Sequence, residues 1–115
     1  MSLGSAPYSV TKHAALSFAE WLRATYAHRG IVVQALCPQG VVTPMLHNAG
    51  EAARRMLEAD AVAPEAVAEQ VVTALRSEEF LILPHPQVTD YCLARASDPT
   101  GWLSRMNGLQ QRLEP

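Results

Sequence analysis

Charge is scarce in this sequence: Asp, Glu, Lys and Arg make up 17% of 115 residues, with a formal net charge of −2. No basic patch or like-charge run is present. That excludes a nucleic-acid surface built on phosphate contacts, and it excludes a charged tail. Cysteine is nearly absent. Cys37 and Cys92 sit in apolar surroundings without metal-ligand spacing. They read as packed thiols of a reduced, cytoplasmic protein, not as a disulfide framework. No apolar run reaches the roughly 18 residues of a membrane span. The N-terminus lacks the basic flank and long apolar stretch of a secretion signal. Glycine is thinly spread, at positions 4, 30, 40, 50, 101 and 108. No glycine-rich strand-to-helix turn can therefore cradle a pyrophosphate. His13, His28, His47 and His85 show no paired spacing and read as surface or capping residues, so no metal is expected. A Gly-x-Ser-x-Gly nucleophile elbow is missing, and Glu78-Glu79 reads as a solvated helix end rather than a paired-carboxylate site.

What is present is apolar material, 49% hydrophobic, enough for the core of a single domain over 1–115. Residues 1–7 read as a disordered or expression-derived leader, with Pro7 suited to the first turn of a helix. A helix is predicted from about Tyr8 to His28. Val10, Ala14, Phe18, Trp21, Leu22 and Tyr26 recur in it at helical spacing, over an arc wide enough to need neighbours on more than one side. His28 and Arg29 suit the helix C-terminus, and Gly30 suits a left-handed stop. Ile31–Cys37 is apolar apart from Gln34, the pattern of a parallel strand covered on both faces. Residues 39–48 form a loop, with Asn48 as cap of a helix from Ala49 to about Asp60. Ala52, Ala53, Met56 and Leu57 give that helix its apolar stripe. Pro64 opens another helix, ending near Ser77, with Val67, Ala68, Val71, Val72 and Leu75 inward. Phe80–Leu83 is a second short buried strand, making a parallel βαβ unit. Beyond His85 the pattern is helical. Asp98-Pro99 is a cap and first turn. Trp102, Met106, Leu109 and Leu113 form a clean stripe, with Trp102 expected to be largely buried. The fold class is α/β, with two parallel strands and several helices.

One spacing carries chemistry. Tyr8 and Lys12 are four residues apart, hence one turn apart on one helix face. An ammonium beside a phenol favours the phenolate and suits the pair to proton transfer near neutral pH. The spacing alone also suits a tyrosine anchoring the helix start beside a solvated lysine.

The run PYSVTKHAALSFAEWL resembles the active-site helix of the short-chain dehydrogenase/reductase family. Pro38-Gln39-Gly40-Val41-Val42-Thr43-Pro44-Met45 resembles the family's Pro-Gly-x-Val-x-Thr segment, and APEAVAEQVV resembles the helix that follows. The resemblance covers nearly the whole chain, in the family's order, and implies the C-terminal part of a Rossmann-like doubly wound sheet. It implies that Tyr8 protonates a carbonyl oxygen while a nicotinamide delivers hydride, and that Lys12 holds the nicotinamide ribose. It implies cofactor contacts from Tyr8, Lys12, Pro38, Gly40, Val41 and Thr43, with NAD or NADP as cofactor. Gln39 stands where the family usually has glycine, with Gly40 one place later, which changes backbone access to the cofactor. The helix after Asn48 corresponds to a mobile lid. The family's glycine-rich turn, catalytic serine and catalytic asparagine have no counterpart here. The resemblance therefore implies a truncated enzyme half that does not bind cofactor or act alone. The alternative is a non-catalytic, self-associating folded fragment. Either way, a homo-oligomer, dimer or tetramer, is expected through helix 8–28 and the exposed strand edge.

Overall fold

The computed structural model describes residues 5–114. Helix α1 spans Ala6–Tyr26 and carries Pro7 in its first turn, where a missing N–H leaves no helical bond unmade. Ser5, Ala6 and Pro7 thus form the ordered helix start and are not disordered; residues 1–4 of the expected leader lie outside the described residues. The helix tightens into a 3-10 turn, Ala27–Arg29, and stops at Gly30. Gly30 has φ of 79°, which only glycine adopts without steric cost, and its N–H closes on the Ala27 carbonyl at 3.0 Å.

The two expected strands are present but much shorter. Ile31–Cys37 reduces to β1, Ala35–Leu36, and Phe80–Leu83 reduces to β2, Leu81–Ile82. They pair in parallel, Ala35 opposite Leu81 and Leu36 opposite Ile82. Two bonds continue the ladder: Ala35 N–H to the Phe80 carbonyl, 2.8 Å, and Cys37 N–H to the Ile82 carbonyl, 3.0 Å. A strand runs only as far as a neighbour offers groups to pair with. Ile31 and Val32 find none, and at 50% and 57% exposure they are not covered on both faces. The α/β architecture stands, as two parallel strands with several helices.

Gln34, the polar exception in the apolar run, has a structural use. Its amide donates to the carbonyl oxygens of Ala74 at 2.8 Å and Glu79 at 2.9 Å. It thereby satisfies acceptors at and just past the end of α4, Pro64–Ala74. Arg23 of α1 acts in a similar way. Its guanidinium donates to the Val33 carbonyl at 2.9 Å and to that of Glu78. These charge-assisted bonds tie α1 to the approaches of both strands.

The 39–48 loop holds a helix that pattern alone did not give: α2, Pro44–His47, capped by Thr43. Asn48 ends α2 and does not start the next helix; α3, Glu51–Leu57, begins after Gly50. Met56, expected inward, is exposed, while Ala53 and Leu57 are half-buried. Exposed ion pairs Arg54–Glu58, at 3.5 Å, and Arg55–Glu51 line its outer face. Such pairs add only about 0.3–0.5 kcal/mol each. In α4, Val67 is buried and Val71 half-buried, whereas Ala68, Val72 and Leu75 face outward. Buried hydrophobic residues among those described are Leu46, Val67 and Ile82.

The chain forms two compact units, one up to Pro84 and one from His85. His85, read as a surface histidine, is 3% exposed. Prolines on both sides hold the chain in a turn there, and the His85 carbonyl accepts from Val88 N–H at 3.1 Å. The second unit holds α5, Val88–Ser97, and α6, Pro99–Leu113. Asp98 caps α6 as expected, its Oδ1 accepting from Gly101 N–H at 2.9 Å. Trp102, Met106, Leu109 and Leu113 all fall in the intermediate burial range, so the stripe is real and most of the Trp102 surface is covered. The Arg95 guanidinium lies over the ring, 5.2 Å from its centroid.

Candidate active site

Helix α1 places Tyr8 and Lys12 on one face, one turn apart, with the Lys12 Nζ 5.5 Å from the Tyr8 ring centroid. Both side chains are exposed. Their neighbours are engaged elsewhere. Thr11 donates its hydroxyl to the Pro7 carbonyl at 2.9 Å, and a ring nitrogen of His13 pairs with the Ser9 carbonyl at 2.8 Å. The phenol and the ammonium are therefore the open polar groups of this turn. A phenol can give or take a proton, and an ammonium offers three donors to hydroxyl oxygens.

The second group of expected site residues follows β1. Pro38 is exposed, Val41 and Thr43 are half-buried, and Gly40 is buried. Residues 40–42 run beside Val62 in an isolated parallel bridge, Val41 opposite Val62. Val42 N–H donates to the Val62 carbonyl at 2.9 Å, and Val62 N–H donates to the Gly40 carbonyl at 3.1 Å. The Thr43 hydroxyl donates to the Val41 carbonyl at 3.3 Å and accepts from Leu46 N–H at 3.4 Å. One lone pair of that oxygen is left for an outside donor.

Tyr8 is thus joined to Lys12, and Gly40, Val41 and Thr43 are joined through one short loop. Among the described residues, no hydrogen bond, ion pair or ring contact links the first pair to the second group. Sequence reasoning missed the packing of Gly40 on Leu57. A Cβ at position 40 would lie 2.2 Å from the Leu57 carbonyl oxygen. The displaced glycine in Pro38-Gln39-Gly40 was the only signal of it. No group of three His, Cys, Asp or Glu among the described residues could hold a metal ion. No described helix is long and apolar enough to cross a membrane.

Two comparisons with known proteins found sequence matches. The family model for short chain dehydrogenase matches residues 2–54, which include α1, β1 and the loop through Thr43. The chain is also similar to 1-deoxy-11-beta-hydroxypentalenate dehydrogenase of Streptomyces exfoliatus, 42% identical over 80 residues. The aligned stretch is 69% of this chain and 28% of that protein, so the chain spans well under two thirds of its relative. No solved structure matches. By sequence the chain is thus similar to short-chain dehydrogenases.

Proposed function

We propose that residues 1–115 are the C-terminal, active-site-helix part of a single NAD(P)-dependent short-chain dehydrogenase domain. The observation that carries this reading is the open Tyr8–Lys12 pair on α1, within the stretch matched by the family model. When bound, a nicotinamide cofactor supplies or accepts hydride. In our reading the Tyr8 phenol gives a proton to the substrate oxygen in reduction and takes one back in oxidation. Lys12 donates to the ribose hydroxyls, and the free lone pair of Thr43 accepts from the carboxamide. Pro38, Gly40 and Val41 shape the backbone beside it. These residues fit the nicotinamide-ribose end of such a cofactor. None of the described residues forms a glycine-rich turn suited to its pyrophosphate. We therefore assign pyrophosphate binding, and most cofactor affinity, to residues outside this sequence. The test is hydride transfer by the chain joined in frame behind the dinucleotide-binding half of a related short-chain dehydrogenase. Turnover of NADH or NADPH with an alcohol or carbonyl substrate is the expected result. A folded chimera that binds cofactor yet transfers no hydride to any of a broad substrate panel would overturn the reading.

A specific observation favours self-association as well. Val10, Phe18 and Trp21 of α1 are 68%, 59% and 53% exposed, and the Phe18 and Trp21 rings stack at 5.9 Å. Large apolar groups clustered in water mark an interaction surface. We infer that copies associate through this face and the open edge of β1, as a dimer or tetramer. Sedimentation equilibrium at micromolar concentration should report a self-associating species, and Trp21→Glu should shift it to monomer. A monomer at every concentration refutes the interface.

A further inference from the structure

The chain leaves the β1 line at Gly40 and comes back to it at Val62, so residues 43–61 form an excursion with both ends at one place. Three features hold that base shut. Val62 N–H donates to Gly40, Val42 N–H donates to Val62, and Gly40 is buried against the backbone of Leu57 at the end of α3. The last contact has no room in it. A Cβ on residue 40 would meet the Leu57 oxygen at 2.2 Å, its carbonyl carbon at 3.0 Å and its Cβ at 3.2 Å. The closest atoms are backbone, so no side-chain rotation relieves the overlap. Gly40 does not have positive φ. Its value here is the missing side chain, not backbone freedom. By contrast, a Cβ on Gly50, the residue before α3, would meet nothing within 4 Å.

We propose that Gly40 is a positioning residue. It latches the base of the 43–61 excursion and thereby sets where Thr43 stands, the residue that our functional reading gives to the cofactor carboxamide. The latch is a property of this chain's own backbone and stands or falls separately from that reading. Thr43 follows the bridge directly, with its hydroxyl bonded to Val41 inside the latch and to Leu46 outside it. Prising Gly40 away from Leu57 breaks the Val62-to-Gly40 bond first and then carries Val41 and Thr43 with it.

The test uses the full 115-residue chain and its Gly40→Ala, Val62→Pro and Gly50→Ala variants. Hydrogen exchange of the Val42 amide should rise by roughly 5- to 150-fold in Gly40→Ala, the range set by an ordinary overpacking cost. The Ala35 and Cys37 amides, bonded across the strand ladder, should keep their protection. The Thr43 amide resonance should move in Gly40→Ala and in Val62→Pro, which removes the donor to Gly40 without adding a Cβ at position 40. Tryptic cleavage at Arg54 and Arg55 should accelerate in both. Gly50→Ala should leave all of these readouts at the parent values. Unchanged Val42 exchange and Thr43 resonance in Gly40→Ala overturn the proposal. So does equal loss of protection at Ala35 and Cys37, which would mean general destabilisation. Rescue of Gly40→Ala by Leu57→Ala would also refute it, because the clash would then be with a side chain.

Discussion

Tyr8→Phe will abolish most turnover in the chain completed by a dinucleotide-binding half, while leaving cofactor binding close to the parent's. The substitution keeps the ring against Lys12, so the helix and its apolar contacts stay, and it removes only the transferable proton. General acid–base catalysis contributes about 10²- to 10⁴-fold, so turnover should fall by at least about 100-fold. Tyr8 is 42% exposed and its hydroxyl supports no bond within the described structure, so its loss should not unfold α1. The measurement is the rate of NADH or NADPH consumption at saturating substrate, beside the cofactor dissociation constant. A turnover number within a few-fold of the parent's assigns the proton to another group.

Ile82→Ala will have the largest effect on stability. Ile82 is 7% exposed, and its backbone is paired with Leu36 while its carbonyl accepts from Cys37. Truncating a buried isoleucine to alanine costs about 2–5 kcal/mol. Leu46 and Val67 are the other buried hydrophobic residues described. With so thin a core, a loss of that size is a large share of the whole. The midpoint of urea unfolding should fall sharply, or the variant should be unfolded without denaturant. A midpoint unchanged from the parent's would mean that Ile82 is not part of the cooperative core.

Helix starts were the most legible features, because proline and capping chemistry act locally. Pro7, Pro64 and Asp98-Pro99 all begin helices where their residue types place them. Thr43-Pro44 carries the same signal and begins α2, yet four residues give too little periodicity to reveal a helix. Strand extent was not legible. Ile31, Val32 and Val33 have the composition of a strand, but pairing depends on a neighbour that no local pattern encodes. How α1 divides its apolar arc between the chain's own core and an outer face was not legible for a related reason. Within the arc Phe18 and Trp21 are exposed, whereas Leu16, Ala19, Leu22 and Tyr26 are the half-buried apolar positions. Arg23 looks solvated by type, yet it is half-buried and bonds two carbonyls distant in sequence. At the site, the Tyr8–Lys12 pair needed only helical geometry and was readable. The Gly40 packing depends on Leu57, which the chain brings back through α2 and α3.

The Tyr8–Lys12 face, in our reading, serves a nicotinamide cofactor. The direct measurement is a titration of NADH and NADPH against the completed chain, native and Lys12→Met, followed by nicotinamide fluorescence. Lys12 makes no ion pair within the described structure and is exposed, so methionine there should not disturb the fold. Losing charged hydrogen bonds to the ribose should weaken binding by roughly tenfold or more. Equal affinity of the native and Lys12→Met proteins for both cofactors would contradict the claim.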